Sequence, residues 1–290
     1  MDKPKRKWGD RKDGRLLREL DAMHFIVPLI YPNRCDNEAY IAETIDLTNL
    51  NAYVAKKNEE ETDFPYKMFQ LIVCAILKTI MLRPKMNRFI ANKNVYQRYK
   101  YSASFVVKKE FKDESAEALA FVYAEPEDTL ESIRAKICKQ IRGCRSDKLD
   151  TSSNSMEILN KMPRFFAKFL VWIICRLDEH GWCPDFLIGS DPYYSSVVLT
   201  NVGSIKLGSG YHHLTNWGTN SVFCLVSEKK LRPFFDAQGH AQMRDTVRLG
   251  LTIDERIADG YYYSKTLRLL RRLLENPELL ELPLSEEVEY

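Results

Sequence analysis

Residues 251–283 read LTIDERIADGYYYSKTLRLLRRLLENPELLELP, and this stretch decides the fold. It continues an apolar strand pattern that starts at residue 246, and it then passes into a charged turn. From about Gly260 the apolar side chains recur at helical spacing, at Tyr263, Leu267, Leu270 and Leu274. The stretch therefore predicts a strand, a turn and an amphipathic helix that ends at Asn276-Pro277.

A second stretch, LTNVGSIKLGSGYHHLTNWGTNS over 199–221, combines four glycines with hydroxyl side chains and the pair His212-His213. Glycines allow another backbone or a ligand to approach closely. The stretch overlaps the end of one predicted strand, 195–200, and the start of another, 221–227. It is therefore a candidate binding loop between two strands.

The remaining sequence mixes strand and helix patterns without a regular alternation. Strands are predicted over 38–47, 95–111 and 118–125, and helices over 63–83, from Thr129 onward, and over 156–177. Asp63 is the predicted cap of the first helix, with Pro65 in its first turn. The polar segment 146–155 is a predicted linker. This order of elements favours an α+β fold, a two-layer sandwich with a mixed β-sheet.

Composition places the chain among globular proteins. Of its 290 residues 45% are hydrophobic and 29% are charged, with a net charge of +3, which excludes disorder and indicates no polyanion partner. The seven cysteines are dispersed without a Cys-x-x-Cys pair, which argues against structural zinc or disulfides and favours a reducing compartment. We find no signal-peptide pattern and no apolar run near 20 residues, so we expect a cytoplasmic protein without a membrane span.

The sequence divides into three predicted parts: a basic extension at 1–13, a single domain at 14–283 and an acidic tail at 284–290. Residues 1–18 hold eight Lys or Arg and three Asp, which is typical of a solvated extension. An arm that binds nucleic acid is the other interpretation. Standard nucleotide-binding and zinc-hydrolase motifs are absent from the sequence, so those functions are not indicated and no metal is expected.

The sequence resembles a known family over most of residues 14–283. The turn Asp254-Glu255-Arg256-Ile257-Ala258-Asp259-Gly260 and the phrase Leu273-Leu274-Glu275-Asn276-Pro277 resemble the active-site signature of dihydrolipoamide acyltransferases from 2-oxo acid dehydrogenase complexes. Thr200-Asn201-Val202-Gly203 and ETIDLTNL at 43–50 are also similar to that family. The resemblance implies the fold of chloramphenicol acetyltransferase and a homotrimer with its active sites between subunits.

The resemblance also implies roles for the site residues. Glu255 occupies the position of the general base, which takes a proton from a thiol of coenzyme A or dihydrolipoamide. Thr200 matches the hydroxyl that donates to the oxyanion, and Asp259 matches an acid that orients the loop with an arginine. Structural roles fall to Asp254, to Arg256, and to Gly260, which lets the helix start tightly.

Glu255 departs from the family, which has histidine at this position. A thiol with a pKa of about 8.5 passes its proton poorly to a glutamate near 4.3, and better to an imidazole near 6.5. Desolvation of Glu255 would restore part of its basicity. A relocated base, His213 or His212, is the other possibility, because their loop is expected near the substrate channel.

Two functions follow from the resemblance. The first is acyl transfer between a thioester, with acyl-coenzyme A as the expected substrate, and a thiol, hydroxyl or amine. The second is a catalytically silent relative that binds an acyl thioester or serves as an interaction subunit. We expect no permanently bound cofactor, and any lipoyl group to come from a separate chain, because no lipoyl domain precedes the catalytic one. The apolar segment 156–177 offers a surface for the trimer, although burial inside the subunit would use it equally well.

Overall fold

The structure is a computed structural model that describes residues 6–60, 63–108, 117–145, 160–189, 191–235 and 238–290. Its strands are β1 Gly14–Leu16, β2 Glu38–Asp46, β3 Arg88–Ala91, β4 Asn94–Arg98, β5 Tyr101–Lys108, β6 Glu117–Ala124, β7 Val197–Asn201, β8 Val222–Val226, β9 Lys230–Phe235 and β10 Ala241–Asp254. Its helices are α1 Ala22–Ile30, α2 Thr48–Glu60, α3 Met68–Leu82, α4 Leu130–Arg145, α5 Arg164–Glu179, α6 Asp185–Ile188 and α7 Gly260–Glu275.

A seven-stranded mixed sheet organises these elements. Its order is β2-β10-β8-β7-β5-β6, with β9 paired to β10 alone. Strands β5, β7 and β8 are parallel neighbours, and the other pairs are antiparallel. The longest pairing joins β2 to β10, from Glu38 opposite Asp254 to Asp46 opposite Thr246. Strands β1, β4 and β3 form a separate small sheet.

The helices α3, α4 and α7 cover one face of the large sheet and enclose the core. Because side chains alternate along a strand, Val222 and Cys224 of β8 face these helices, whereas Phe223 points to the opposite face. Helix α3 is buried without interruption from Gln70 to Ile80. The prediction of an α+β sandwich on a mixed sheet is confirmed.

Helix α3 starts five residues later than predicted. Its cap position is Lys67, whose backbone N–H donates to the Gln70 side chain at 3.0 Å, and Asp63 does not cap it. The Tyr66 backbone is held outside the helix, because Asn58 accepts from its N–H at 2.6 Å and donates to its carbonyl at 3.1 Å. Pro65 therefore lies before the helix and not in its first turn.

Two other boundaries differ from prediction. The single strand expected over 95–111 is two strands, β4 and β5, because the chain turns where the Tyr99 N–H bonds to the Asp13 carbonyl. Of the aromatic helix expected over 156–177, residues 156–159 lie outside the described residues, and α5 runs from Arg164 to Glu179 directly after Pro163. The predicted linker 146–155 lies outside the described residues. Helix α1 and strands β1, β3 and β9 were not predicted.

Both ends of the described chain are attached to the domain. The Arg11 side chain is buried and donates to Asp13 and Asp178, so the interpretation of residues 1–18 as a solvated extension does not hold at Arg11. At the other end, Leu284 of the predicted acidic tail is fully buried, and its N–H bonds to the Asp128 carbonyl at 2.8 Å. Part of the positive charge of this N-terminal segment is therefore neutralised by ion pairs within the domain.

Candidate functional site

Glu255 begins a single 3-10 turn directly after β10. Its backbone N–H bonds to the carbonyl of Asn37 at 2.8 Å, which fixes the turn against the start of β2. The Glu255 side chain itself is exposed and lines a cleft. Within the single chain, therefore, this carboxylate is not buried.

The residues on either side of Glu255 form a buried ionic cluster. Asp254 is fully buried and accepts from Arg256 Nε at 2.8 Å and Nη2 at 2.7 Å. The buried Arg34 approaches the same carboxylate, with its Nε 3.7 Å from Asp254 Oδ2. Burial lowers the pKa of Arg34, and the charge of Asp254 opposes that effect. Because unpaired buried charges are costly, this cluster resists movement of the turn.

The same cluster connects distant segments of the chain. Arg256 Nη1 donates to the carbonyls of Tyr31 and Pro32 at 2.9 Å. Arg34 Nη2 donates to the carbonyls of Ile90 and Gly218 at 3.0 Å. The structural role that the resemblance implied for Asp254 and Arg256 therefore has a physical basis, and Arg34 is a member that sequence reasoning missed.

Asp259 caps helix α7. Its carboxylate accepts from the Tyr262 N–H at 2.8 Å, and this hydrogen bond lowers the pKa of Asp259. The arginine partner implied by the resemblance is absent from the described contacts of Asp259, where the cation is Lys85 at 4.0 Å. Gly260 needs no special geometry either, since an added Cβ there would meet nothing within 4 Å. Asp259 therefore stabilises the turn indirectly, because it caps the first turn of the helix that follows.

The cleft beside Glu255 lies between α7 and the edge strand β2, and its volume is about 480 Å³. Its walls comprise Ala39, Ile41 and Glu43 of β2 and Gly260, Tyr263, Ser264, Leu267, Arg268 and Arg271 of α7. Glu43 is buried at the far end, where Arg271 Nε donates to it at 2.7 Å. The helical spacing of these α7 residues was visible in the sequence, but it was interpreted only as a buried face.

Thr200 lies far from Glu255 in the same chain. Leu225 stands opposite both Thr200 of β7 and Gly250 of β10, so Thr200 is two strands away from Gly250. With about 4.8 Å between strands and about 3.4 Å per residue, Thr200 and Glu255 are about 20 Å apart. Thr200 also shares the sheet face of Val198, opposite the face that carries the cleft.

The two histidines lie closer to the Glu255 end of the sheet. The His212 ring stacks on Phe223 at 4.2 Å, and Phe223 is opposite Thr252. Next to His213, the Leu214 N–H bonds to the carboxylate of Glu38, the residue opposite Asp254. The histidine loop therefore covers the sheet face opposite the helices, close to the start of β2.

Glycine is required where this loop crosses the sheet. A Cβ on Gly250 would lie 1.9 Å from the carbonyl oxygen of Gly210, so any side chain there would displace the loop. In the parts of the chain that the structure describes, no cluster of His, Cys, Asp and Glu is arranged for a metal. Among these same residues, no helix has the length and apolar character needed to cross a bilayer.

Several solved structures that share this fold are named as acyltransferases. A probable dihydrolipoamide acetyltransferase from Listeria monocytogenes 4b F2365 has a TM-score of 0.61 and 16% identity, over 93% of this chain and 92% of that chain. The Azotobacter vinelandii dihydrolipoamide acetyltransferase, studied for the roles of a serine, a histidine and an asparagine in its catalytic mechanism, gives 0.60 and 15%, over 92% and 94%. A chloramphenicol acetyltransferase gives 0.57 and 10%, over 90% and 99%. The chain therefore has the chloramphenicol-acetyltransferase-like fold.

A family match lies in the C-terminal part of the sequence. Residues 191–282 match the family model described as 2-oxoacid dehydrogenases acyltransferase (catalytic domain). The matched segment contains Thr200, both histidines and the whole turn 254–260. The resemblance stated from the signature residues is confirmed. No curated protein matches the sequence.

Proposed function

We propose that the protein transfers an acyl group from acyl-coenzyme A to a thiol, hydroxyl or amine, and that it does so as a homotrimer. The observation that carries this proposal is the separation of Thr200 and Glu255, which are about 20 Å apart in one chain by strand register. A second copy related by rotation brings its Thr200 to the Glu255 of the first. Each site then takes its base from one copy and its oxyanion donor from another.

Residue spacing supports this assignment. In the Azotobacter enzyme the histidine and the asparagine studied for catalysis stand four positions apart, the same separation as Glu255 and Asp259. Its serine precedes the histidine by 52 positions, and Thr200 precedes Glu255 by 55. This spacing supports Glu255 as the base and Thr200 as the hydroxyl donor.

The proposed reaction starts with the acceptor bound beside Glu255. The Glu255 carboxylate takes the proton of the acceptor S–H, O–H or N–H, and the freed electron pair forms a bond to the thioester carbonyl carbon. The Thr200 hydroxyl of the neighbouring copy donates to the oxyanion. The C–S bond then breaks, and the departing thiolate takes the proton from Glu255. Asp259 is a positioning residue, because it holds the first turn of α7.

Exposed apolar surface supports the trimer. On α1, Phe25 and Ile30 are 58% and 62% exposed, and on α5, Phe165 and Phe169 are 69% and 58% exposed. Exposed apolar patches of this kind mark interaction surfaces. A second copy placed over the cleft would also exclude water from the site at Glu255.

Subunit complementation tests the shared site. Glu255→Gln and Thr200→Val should each lower thiol release from acetyl-coenzyme A by about 10²- to 10⁴-fold. When the two inactive variants are unfolded together and refolded as mixed trimers, about a quarter of the sites regain both residues and activity returns. Mixtures of each variant with itself are the control. Mixed trimers that stay inactive, while wild type is active, would contradict the shared site.

The catalytically silent alternative rests on one observation, the glutamate at the position of the base. If the site has kept only its geometry, wild type has no turnover with a panel of acyl-coenzyme A esters and Glu255→His creates it.

If His213 or His212 is the base, Glu255→Gln is harmless and His213→Ala or His212→Ala is not. Coenzyme A at a hundred times its dissociation constant should stabilise the folded protein by about 2.7 kcal/mol, both if the site is silent and if a histidine is the base.

A further inference from the structure

The cleft beside Glu255 has two charged ends. Of its four charged side chains, Glu43 and Arg271 neutralise each other through the 2.7 Å hydrogen bond. Glu255 is left at one end, and Arg268 is left beside the Glu43–Arg271 pair at the other. Arg268 is exposed and makes no ion pair or side-chain hydrogen bond with the described part of the chain. The cleft therefore presents a carboxylate and an unpaired guanidinium to one ligand.

Helix geometry gives the distance between the ends. Gly260, Ser264 and Arg268 lie on one face of α7, and at about 1.5 Å per residue the Cα of Arg268 is about 12 Å beyond that of Gly260. A helical side chain leans toward the helix N-terminus, so the direction expected for the Arg268 guanidinium is over Ser264, toward the Glu255 end of the cleft. The distance between the Glu255 carboxylate and the Arg268 guanidinium thus suits a small molecule.

The walls between the two ends fit a short carbon chain. Ala39, Ile41 and Leu267 are apolar, and the volume of about 480 Å³ is in the usual range for small-molecule sites. The hydroxyl of Ser264 is the polar group between the ends. This arrangement favours a ligand with an apolar middle, a proton donor at one end and an anion at the other.

We propose that this cleft binds the acyl acceptor and that the acceptor carries a carboxylate, which Arg268 binds. The inference rests on the proposed function, because Glu255 faces the acceptor only if it is the base. A general base must lie within hydrogen-bond reach of the proton that it removes, so the acceptor's S–H, O–H or N–H lies at Glu255. Its carboxylate then reaches the guanidinium, whose planar fork suits bidentate binding.

Paired acceptors test the assignment. With acetyl-coenzyme A as donor, ω-mercapto, ω-hydroxy and ω-amino acids are each compared with the matching carboxamide, and the acylated product is measured by mass spectrometry. Wild type should prefer the acid in kcat/KM by about 10- to 100-fold. Arg268→Gln should abolish that preference, and Arg268→Lys should restore part of it. Arg272→Gln is the control, since Arg272 is exposed on the same helix and does not line the cleft.

A binding measurement separates this inference from the proposed function. Calorimetry with glutaramate, whose amide N–H can donate to Glu255 but is not acylated, should show binding to wild type and Arg272→Gln and none to Arg268→Gln, whether or not the protein turns over. Absence of binding to wild type, or acid preference that survives Arg268→Gln, would overturn the inference and leave acyl transfer standing. If Arg268→Gln instead changes the preference for succinyl- over butyryl-coenzyme A, the carboxylate belongs to the acyl donor, and the acceptor assignment is wrong.

Discussion

Helices α3 and α5 both carry runs of large apolar side chains but lie in opposite environments. In α3, every residue from Gln70 to Ile80 is buried between the sheet and other helices. In α5, Phe169 and Trp172 are 58% and 56% exposed. An apolar helix thus indicates that something covers it, but the sequence does not say whether the cover is the same chain or another copy.

The largest expected effect comes from the core helix. Leu77→Ala removes a fully buried side chain of α3 and should lower the free energy of unfolding by about 2–5 kcal/mol. Phe169→Ala removes an exposed side chain of α5 and should cost the isolated subunit less than about 1 kcal/mol. Urea unfolding at a protein concentration where the chain is monomeric measures both. Equal costs would show that α5 is a core helix and that the comparison is false.

The second expected effect concerns assembly. Phe169→Glu together with Trp172→Glu places two carboxylates on the exposed side of α5, and the monomer–trimer dissociation constant should rise by more than about 100-fold. Sedimentation velocity measures the change, and circular dichroism checks that the subunit stays folded. Lys168→Glu, also exposed on α5, is the matched control. A double variant that remains trimeric would move the interface away from α5.

The smallest expected effect is chemical. Burial raises the pKa of Cys74 in α3 to about 12, so at pH 8 its thiol stays protonated and unreactive. Cys175 in α5 is only partly buried, with a pKa that burial raises less far. Iodoacetamide labelling followed by mass spectrometry should modify Cys175 in the monomeric double variant, less in the trimer, and Cys74 in neither. Labelling of Cys74 in the native state would show that the core around α3 opens.

The elements that the sequence predicted well are those with a complete local pattern. Helix α7 has its cap at Asp259, apolar positions at helical spacing and a proline after its end, and it was predicted almost to the residue. Helix α1, AMHFIVPLI, was missed because Pro28 lies inside it and its apolar residues do not form a stripe. The start of α3 was misplaced because contacts between Asn58 and Tyr66 decide it, and such contacts are not local signals.

The site was predictable only in part, for the same reason. The turn 254–260 was identified because its residues are consecutive and resemble a family signature. Arg34 joins Asp254 from 220 positions away, and nothing near Arg34 in the sequence marks it as a partner. The cleft depends on β2 packing beside α7, so its charges could be found only in three dimensions.

The pairing of β2 with β10 also has a consequence for the time at which the site forms. Asp46 and Thr246 are strand partners that lie about 200 residues apart in the chain. Closing a loop of that length lowers the chain entropy, at a cost on the order of 5 kcal/mol, before the strand contacts form. At a synthesis rate of about 5–20 residues per second, β2 is complete roughly 10 to 40 s before its partner strand β10 is synthesised. Until then the wall of the cleft that carries Glu43 does not exist, and neither does the turn at Glu255. The site is therefore a late product of folding, and the growing chain carries the apolar α3 without its full cover for most of its synthesis.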